Sequence, residues 1–262
     1  MDWRKTAPVV GAMMMLATAC TGSIFGDDAI EASGEIIEDA RDLEAFSSVS
    51  IDGPVDVTIV SDGTHRVEMR MDRELERRAM IEIGDDEFSL DFPDDMSVRG
   101  PIVAELILHV DRLDDLDVES TASVAFDRLV GDTVLVDVSG ASEVSGGEIV
   151  AGRLELGVSG ASVVEVELAI DAVTRADMSG ASLATLAGRT GELVLDASGA
   201  SDVAALDLET GPARLDLSGA SSVRISSSGA VDGELSGASD LHVRGDATID
   251  VATSGASTVA RS

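Results

Sequence analysis

The 262-residue chain is poor in aromatic and in basic residues. It contains one Trp, five Phe and no Tyr, so it has few rings that could stack on sugars. Lys and Arg together number 18 against 50 Asp and Glu, which gives a formal net charge of −32. Because phosphate contacts need a basic face, this balance argues against a nucleic-acid-binding protein. Hydrophobic residues still make up 44% of the chain, which is enough for a sizeable core and excludes a disordered acidic chain.

Cysteine is also scarce, because Cys20 is the only one. A single cysteine excludes an intramolecular disulfide and any metal site built from several cysteines. Arg4 and Lys5 precede an uncharged stretch, Thr6 to Ala19, that ends in small residues. This pattern predicts a secretory signal peptide over residues 1–19, and the stretch is shorter than the roughly 20 apolar residues that a membrane-spanning helix needs.

Cys20 follows directly on Ala17-Thr18-Ala19. This arrangement resembles the lipobox of bacterial lipoproteins, in which cleavage leaves the cysteine as the lipidated first residue, although Ala17 occupies the position where Leu is favoured. The resemblance implies that Cys20 is the lipidation site and that the protein contacts the membrane through an N-terminal lipid. Thr21 is not the aspartate that signals retention in the inner membrane, so we expect an outer-membrane location.

Residues 20–44 are strongly acidic. Eight acidic side chains and one Arg fall between residues 21 and 44. Their mutual repulsion predicts a solvated tether between the lipid and the folded part. A short helix from Ile30 to Leu43 is the alternative.

The tetrapeptide Ser-Gly-Ala-Ser dominates the second half of the chain. Its seven copies follow one another at steps of 18 to 20 residues and begin at Ser139, Ser159, Ser179, Ser198, Ser218, Ser236 and Ser254. A degenerate copy, Ser120 to Ser123, precedes the first by 19 residues. A fixed period of this kind indicates stacked structural repeats.

The residues on both sides of each tetrapeptide alternate between apolar and polar, as in Val136-Asp137-Val138 before the first copy. Alternation of period two predicts a half-buried strand, so each repeat gives a strand, a tight corner and a second strand. A propeller blade would need about 40 residues. We therefore predict an all-β protein whose residues 119–262 form a right-handed parallel β-helix with 18–20 residues per coil. Residues 45–118 also alternate and predict an N-terminal β region that caps the helix, with one short helix from Asp72 to Met80.

The corner can be explained by its small residues, taking Ser139, Gly140, Ala141 and Ser142 as the example. Gly permits a positive φ at the bend, and we expect the Ala to pack against its copies in neighbouring coils. The two Ser hydroxyls can bond to backbone groups or to each other. A row of nucleophilic serines would need an activating base, and none of the three His residues recurs with the repeat. We therefore expect structural serines, no catalytic residues and no cofactor.

An acidic side chain occupies the same repeat position in four consecutive coils, namely Asp177, Asp196, Asp216 and Glu234. Asp137 has the equivalent position two coils earlier. Stacked carboxylates about 5 Å apart repel one another, by roughly 1 kcal/mol per pair at water-like dielectric. These residues predict a solvated acidic face. The alternative is a cation-binding column, because carboxylate oxygens are the ligands that calcium prefers.

The stretch from Phe46 to Val60, followed by the repeated corners, resembles the auto-transporter adhesin head GIN domain family over roughly residues 45–260. The resemblance implies a β-helix attached to a lipoprotein or secretion signal, and it offers no catalytic residues. We therefore expect a non-enzymatic, lipid-anchored cell-envelope protein whose surface serves adhesion, interaction or scaffolding, with an envelope protein or a glycan as partner. Two alternatives remain open: a polysaccharide-active β-helix lyase or hydrolase, and a cation-dependent envelope scaffold.

Overall fold

The structure is a computed structural model that describes residues 29–93 and 96–261. Strands make up 67% of it, with almost no helix, and they form a β-solenoid of about seven turns. The all-β solenoid predicted from the repeats is therefore confirmed. The signal peptide over residues 1–19 and the lipidation site Cys20 lie outside the described residues.

Over residues 29–93 and 96–261 the chain forms 21 strands and one short helix. The elements are β1 Ile30–Glu31, β2 Ile36–Asp42, β3 Ser48–Asp52, β4 Asp56–Ser61, β5 Arg66–Asp72, α1 Arg73–Glu76, β6 Met80–Gly84, β7 Glu87–Asp91, β8 Val98–Arg99, β9 Ala104–Val110, β10 Asp115–Glu119, β11 Ser123–Val138, β12 Glu143–Val158, β13 Val163–Met178, β14 Leu183–Ala197, β15 Asp202–Thr210, β16 Ala213–Leu217, β17 Ser222–Ser227, β18 Ala230–Leu235, β19 Asp240–Arg244, β20 Thr248–Thr253 and β21 Thr258–Arg261.

Two ladders of parallel strands run along the solenoid, one on each side of the corners. The ladder that precedes the corners contains β7, β3, β10, the second halves of β11 to β14, and then β16, β18 and β20. The ladder that follows the corners contains β9, β4, the first halves of β11 to β14, and then β15, β17, β19 and β21. Alternate side chains point inward, so equivalent apolar residues of successive coils form one continuous core.

The parallel stack does not begin at residue 119. Strand β3 pairs in parallel with β10 and with β7, and β4 pairs in parallel with β11 and with β9. The region over residues 45–118 therefore adds coils of its own, because Val49, Ile51, Val57 and Ile59 alternate inward as the repeats do. The antiparallel strands β2, β5 and β6 close this end of the stack.

The predicted tether differs from the structure over its second half. Residues Ile36–Asp42 form β2, which pairs antiparallel with β5, so neither a solvated tether nor a helix describes them. The physical reason lies in Asp72, whose buried carboxylate accepts hydrogen bonds from Ser33 N at 3.2 Å, Ser33 Oγ at 3.0 Å and Gly34 N at 3.0 Å. These bonds fix the chain beside β5, and Ile30 is buried as well.

Helix α1 is shorter than the stretch from Asp72 to Met80 that the sequence indicates. It covers Arg73–Glu76, with Asp72 as its N-cap accepting from Glu74 N at 2.9 Å. Leu75 is its buried residue. The chain returns to strand at Met80, so the helix amounts to one turn that connects β5 to β6.

Candidate functional site

The seven corner glycines share one backbone conformation and one close contact. Their φ angles all lie between 72° and 77°. A Cβ on any of them would lie 2.3 or 2.4 Å from the carbonyl oxygen of the residue below it in the stack. That same oxygen accepts a hydrogen bond from the corner Ala, as between Ala200 N and Gly180 O at 2.7 Å. Both the backbone conformation and the spacing of the coils therefore favour glycine at these seven corners.

The corner alanines do not pack against their copies, so that expectation is wrong. All seven, from Ala141 to Ala256, are exposed, because the turn directs their Cβ atoms to solvent. The fourth residue of the corner is the buried one. Six serines at this position are buried: Ser142, Ser162, Ser182, Ser201, Ser221 and Ser239.

Three of the six buried serines, Ser201, Ser221 and Ser239, donate a hydrogen bond within their own corner, whereas the Ser142 hydroxyl has no hydrogen-bond partner among the described residues. Ser201 Oγ donates to the carbonyl oxygen of Ser198 at 2.7 Å, and Ser221 Oγ donates to that of Ser218 at 2.8 Å. Ser182 Oγ also lies 3.3 Å from Ser201 Oγ in the next coil. Hydroxyls held in this way close the turn, which is a structural role.

The degenerate copy aligns one residue away from the expected register. Ser120, with φ 63°, occupies the place of a corner glycine, and its carbonyl oxygen accepts from Ala141 N at 2.7 Å. Ala122 then replaces the buried serine. The tetrapeptide from Ser120 to Ser123 matches the corner in letters, but hydrogen bonding between coils sets the alignment, and Ser123 pairs with Glu143 beyond the corner.

The four acidic residues of the predicted column stand one above another. In the parallel register Asp177 pairs with Asp196, Asp196 with Asp216, and Asp216 with Glu234. All four are exposed on the outer face of the ladder that precedes the corners. Beside them runs a groove of about 400 Å³ that is also lined by the first serines of three corners, Ser179, Ser198 and Ser218.

The acidic row continues toward the N-terminal end. Asp117 pairs with Asp137, and Gly157 separates Asp137 from Asp177. A Cβ on Gly157 would lie 2.0 Å from Asp137 Oδ1, so the missing side chain leaves room for that carboxylate. Sequence reasoning missed Asp117, although its apolar neighbours on both sides repeat the pattern around Asp137.

Partial burial and neighbouring carboxylates raise the pKa of two members of this row, Asp196 and Asp117. Partial burial, and then repulsion from Asp177 and Asp216, raises the pKa of Asp196, while Arg175 opposes the shift. Partial burial, with Glu119, Asp137 and Asp115 adding to it, raises the pKa of Asp117 to about 6. The row therefore carries an electrostatic cost when it is fully ionised.

The column is a ladder of separate carboxylates. Over residues 29–93 and 96–261, no group of three or more His, Cys, Asp or Glu side chains converges as a metal ion would require. A cation that binds this column would therefore bridge neighbouring coils or draw the carboxylates together.

His65 and His109 lie in the N-terminal part of the solenoid, away from the acidic column. His109 Nδ1 is 2.7 Å from Asp62 Oδ2, and His109 Nε2 is 3.9 Å from Glu68 Oε1. Hydrogen bonds from Thr64 and His109 lower the pKa of Asp62 to about 2. His65 packs edge-on against Phe46 with ring centroids 5.5 Å apart.

The sequence of the solenoid matches a known family. The family described as "Putative auto-transporter adhesin, head GIN domain" matches residues 45–247. The chain belongs to this family. The resemblance expected from the opening motif and the corners is thereby confirmed.

Solved structures of other proteins share the fold of this chain. A protein from Parabacteroides distasonis described as a "putative lipid binding protein" has a TM-score of 0.82 at 14% identity, and the match covers 89% of this chain and 99% of the other. A "putative adhesin" from Parabacteroides merdae has a TM-score of 0.72 at 19% identity, covering 90% of this chain and 99% of its own. These identities establish the fold alone. No curated protein matches the chain.

In the part of the chain that the structure describes, no helix has the length and apolar character needed to cross a bilayer.

Proposed function

We propose that the protein is a non-enzymatic, lipid-anchored cell-envelope protein that binds envelope components through the outer faces of its solenoid. The anchor is Cys20, the location is the outer membrane, and the partner is an envelope protein or a glycan. The head GIN family and the adhesin-like relatives support an adhesive role at the cell envelope.

The observation that carries the proposal is the alignment of side chains in successive coils. Asp177, Asp196, Asp216 and Glu234 repeat one chemical group along one line, beside the outward serines of the corners. A line of identical groups suits an extended or repetitive partner, since each coil can make the same contact. A polysaccharide-active enzyme would instead need an acid and a base that interrupt the repeat inside a groove.

A cation-dependent scaffold is the second candidate, and the same column favours it. Repulsion from Asp177 and Asp216 contributes to the raised pKa of Asp196, so an ion that screens these charges would stabilise the folded state. Calcium is the cation whose ligand preference fits carboxylates best.

The anchor is tested by Cys20→Ser in the source organism or another bacterium that processes lipoproteins. We expect the variant to leave the membrane fraction and to lose the acyl-modified N-terminal peptide in mass spectrometry. A wild-type protein whose Cys20 carries no acyl group would contradict the anchor.

Binding is tested with beads that carry the folded protein and with fluorescently labelled envelope fragments of the same organism. We expect the variant with Asp177→Asn, Asp196→Asn, Asp216→Asn and Glu234→Gln to bind fewer fragments. The matched control carries Glu165→Gln and Asp171→Asn, which lie on the exposed surface outside the column. Equal binding by both variants and the wild type would exclude the acidic face as the contact.

A further inference from the structure

Two edge strands, β2 and β6, lie at the N-terminal end of the solenoid. They differ in how well charged residues protect them against pairing with a strand of another molecule. Strand β2 has the sequence IIEDARD, with four charged residues among seven. Strand β6 has the sequence MIEIG, with Glu82 as its one charge. Its Met80, Ile81 and Ile83 are exposed by 50%, 39% and 43%. Proteins usually guard edge strands with charges, prolines or bulges, and β6 carries little of this protection.

The exposed isoleucines belong to the core side of the sheet. Ile81 pairs with Leu90 and Ile83 pairs with Phe88, both of which are fully buried. Among the described residues β6 pairs only with β7, so its other edge is open. There Ile81 and Ile83 line a mixed groove of about 250 Å³, whose apolar side is formed with Val67 and Met69 of β5 and whose rim carries charged residues, Asp39 and Arg41 of β2 and Glu76.

The backbone of β6 offers a regular set of bonding groups at this edge. Gly84 faces Glu87 across the two-residue turn of Asp85 and Asp86. In an antiparallel pair alternate residues bond to the partner strand, so Gly84, Glu82 and Met80 turn their N–H and C=O groups toward β7. Ile81 and Ile83 therefore turn theirs outward.

The residues that flank the two ends of β6 carry charges of opposite sign. Arg77 and Arg78 precede the strand, and Asp85 and Asp86 follow it. Arg77 and Arg78 are partly exposed, and both contact Glu74. When a strand of this kind pairs antiparallel with its own copy, the basic end of each meets the acidic end of the other.

We propose that β6 pairs antiparallel with β6 of a second copy of this chain, about a two-fold axis at Ile81. An axis at Glu82 would set Glu82 against itself, which like charges disfavour. The axis at Ile81 sets Glu82 against Met80 and lets Ile81 exchange both backbone bonds with its copy. The sheets of the two solenoids then become continuous, and the interface is isologous. This proposal does not depend on lipidation at Cys20.

Disulfide trapping tests the pairing in cells that export the full chain. In a Cys20→Ser background, which removes the one native cysteine, Ile81→Cys should give a disulfide-linked species of twice the mass of the reduced chain on non-reducing gels. Peptide mapping should find residue 81 joined to residue 81. Leu183→Cys is the matched control, since Leu183 is 37% exposed on a paired strand, and it should stay monomeric.

A second variant, Glu82→Cys, tests the register of the β6–β6 pairing. It also keeps the proposal testable if Ile81→Cys fails to fold. Glu82→Cys places its sulfurs on a diagonal, where Cβ atoms lie beyond the usual disulfide spacing of about 4 Å, so we expect at least ~5-fold less dimer than from Ile81→Cys. Monomer alone from both variants, equal trapping of Leu183→Cys, or a cross-link to a different protein would overturn the proposal. So would a stronger dimer from Glu82→Cys.

Discussion

At the scale of single residues, the corner glycines hold the coils at their spacing. Gly199 has a φ of 74°, and a Cβ added to it would lie 2.4 Å from the carbonyl oxygen of Gly180. We expect Gly199→Ala to lower the free energy of unfolding by about 2–3 kcal/mol, because both the conformation and the contact become unfavourable.

The neighbouring alanine provides the control for that measurement. Ala200 is exposed, so Ala200→Ser and even Ala200→Leu should change the free energy of unfolding by less than ~0.5 kcal/mol in urea titrations. A glycine variant as stable as the alanine variants would show that the corner tolerates a side chain and that the spacing is set elsewhere.

Asp117 predicts a pH dependence with a definite sign. Its pKa is about 6 in the folded state, against about 3.9 for a free Asp. Between these values the folded state binds more protons, so its contribution to stability is present at low pH and is lost as the pH rises through 6. Burial also raises the pKa of Asp56, Asp91 and Asp115, which act in the same direction.

We therefore expect the wild type to gain stability when the pH falls from 7 to 5, and Asp117→Asn to remove roughly 1 kcal/mol of that gain after solvent screening. Chemical unfolding at the two pH values measures it, with Asp171→Asn as the control. If Asp117→Asn and the wild type shared one pH profile, the crowding at Asp117 would have no energetic effect.

At the scale of elements, Asp72 attaches the N-terminal strand β2 to the solenoid. Asp72→Ala would leave Ser33 N, Gly34 N and Glu74 N without their acceptor, so we expect a loss of about 2–4 kcal/mol. Amide exchange in β2 should accelerate with it. Asp42→Ala, at the exposed end of β2, is the control and should change neither quantity. Unchanged exchange in the Asp72 variant would mean that pairing with β5 suffices.

The acidic column predicts a response to salt. Asp196→Asn combined with Asp216→Asn removes three neighbouring repulsions, so we expect stability to rise by about 1–2 kcal/mol at low salt. NaCl should stabilise the wild type, and millimolar calcium at constant ionic strength should add to it. Thermal melts measure these effects, with Glu165→Gln and Asp171→Asn as the control pair. A double variant that is less stable than the wild type at low salt would show that the carboxylates make favourable contacts.

The elements also show how far the sequence leads. An apolar–polar alternation that keeps the same position relative to a repeated corner predicts the solenoid and the acidic column. Residues at equal distance from the corner pair with one another in successive coils. The alternation does not predict which corner residue faces inward: Ala141 and Ser142 are both small, and the turn alone decides that the serine is buried. Nor could composition find β2, since β2 pairs with β5 beyond the intervening strands β3 and β4, and the Asp72 that bonds to Ser33 lies 39 residues further along the sequence.

At the scale of the whole molecule, some of the acidic residues are aligned in a row. The chain carries a net charge of −32, yet the solenoid arranges part of it as a straight row on one outer face. Net charge alone would favour solubility and oppose association. A row in register offers the same group to a partner at every coil, and this distinction is central to the proposed binding role.

Exchanging two residues of β14 tests whether the alignment of the carboxylates matters independently of the net charge. Val194 and Asp196 point to the same outer face, and Val194 lies between Arg175 and Arg214 in the neighbouring coils. The double variant Val194→Asp/Asp196→Val keeps the composition and the net charge, but it interrupts the column and places the carboxylate between two arginines. Its melting curve should show that it remains folded.

The decisive measurement is the binding of labelled envelope fragments to beads that carry this exchanged variant, beside the wild type and the control with Glu165→Gln and Asp171→Asn. If aligned carboxylates make the contact, the exchanged variant binds fewer fragments at unchanged net charge, while the control binds as the wild type does although it has lost two charges. Full binding by the exchanged variant, or an equal loss in the control, would contradict the account.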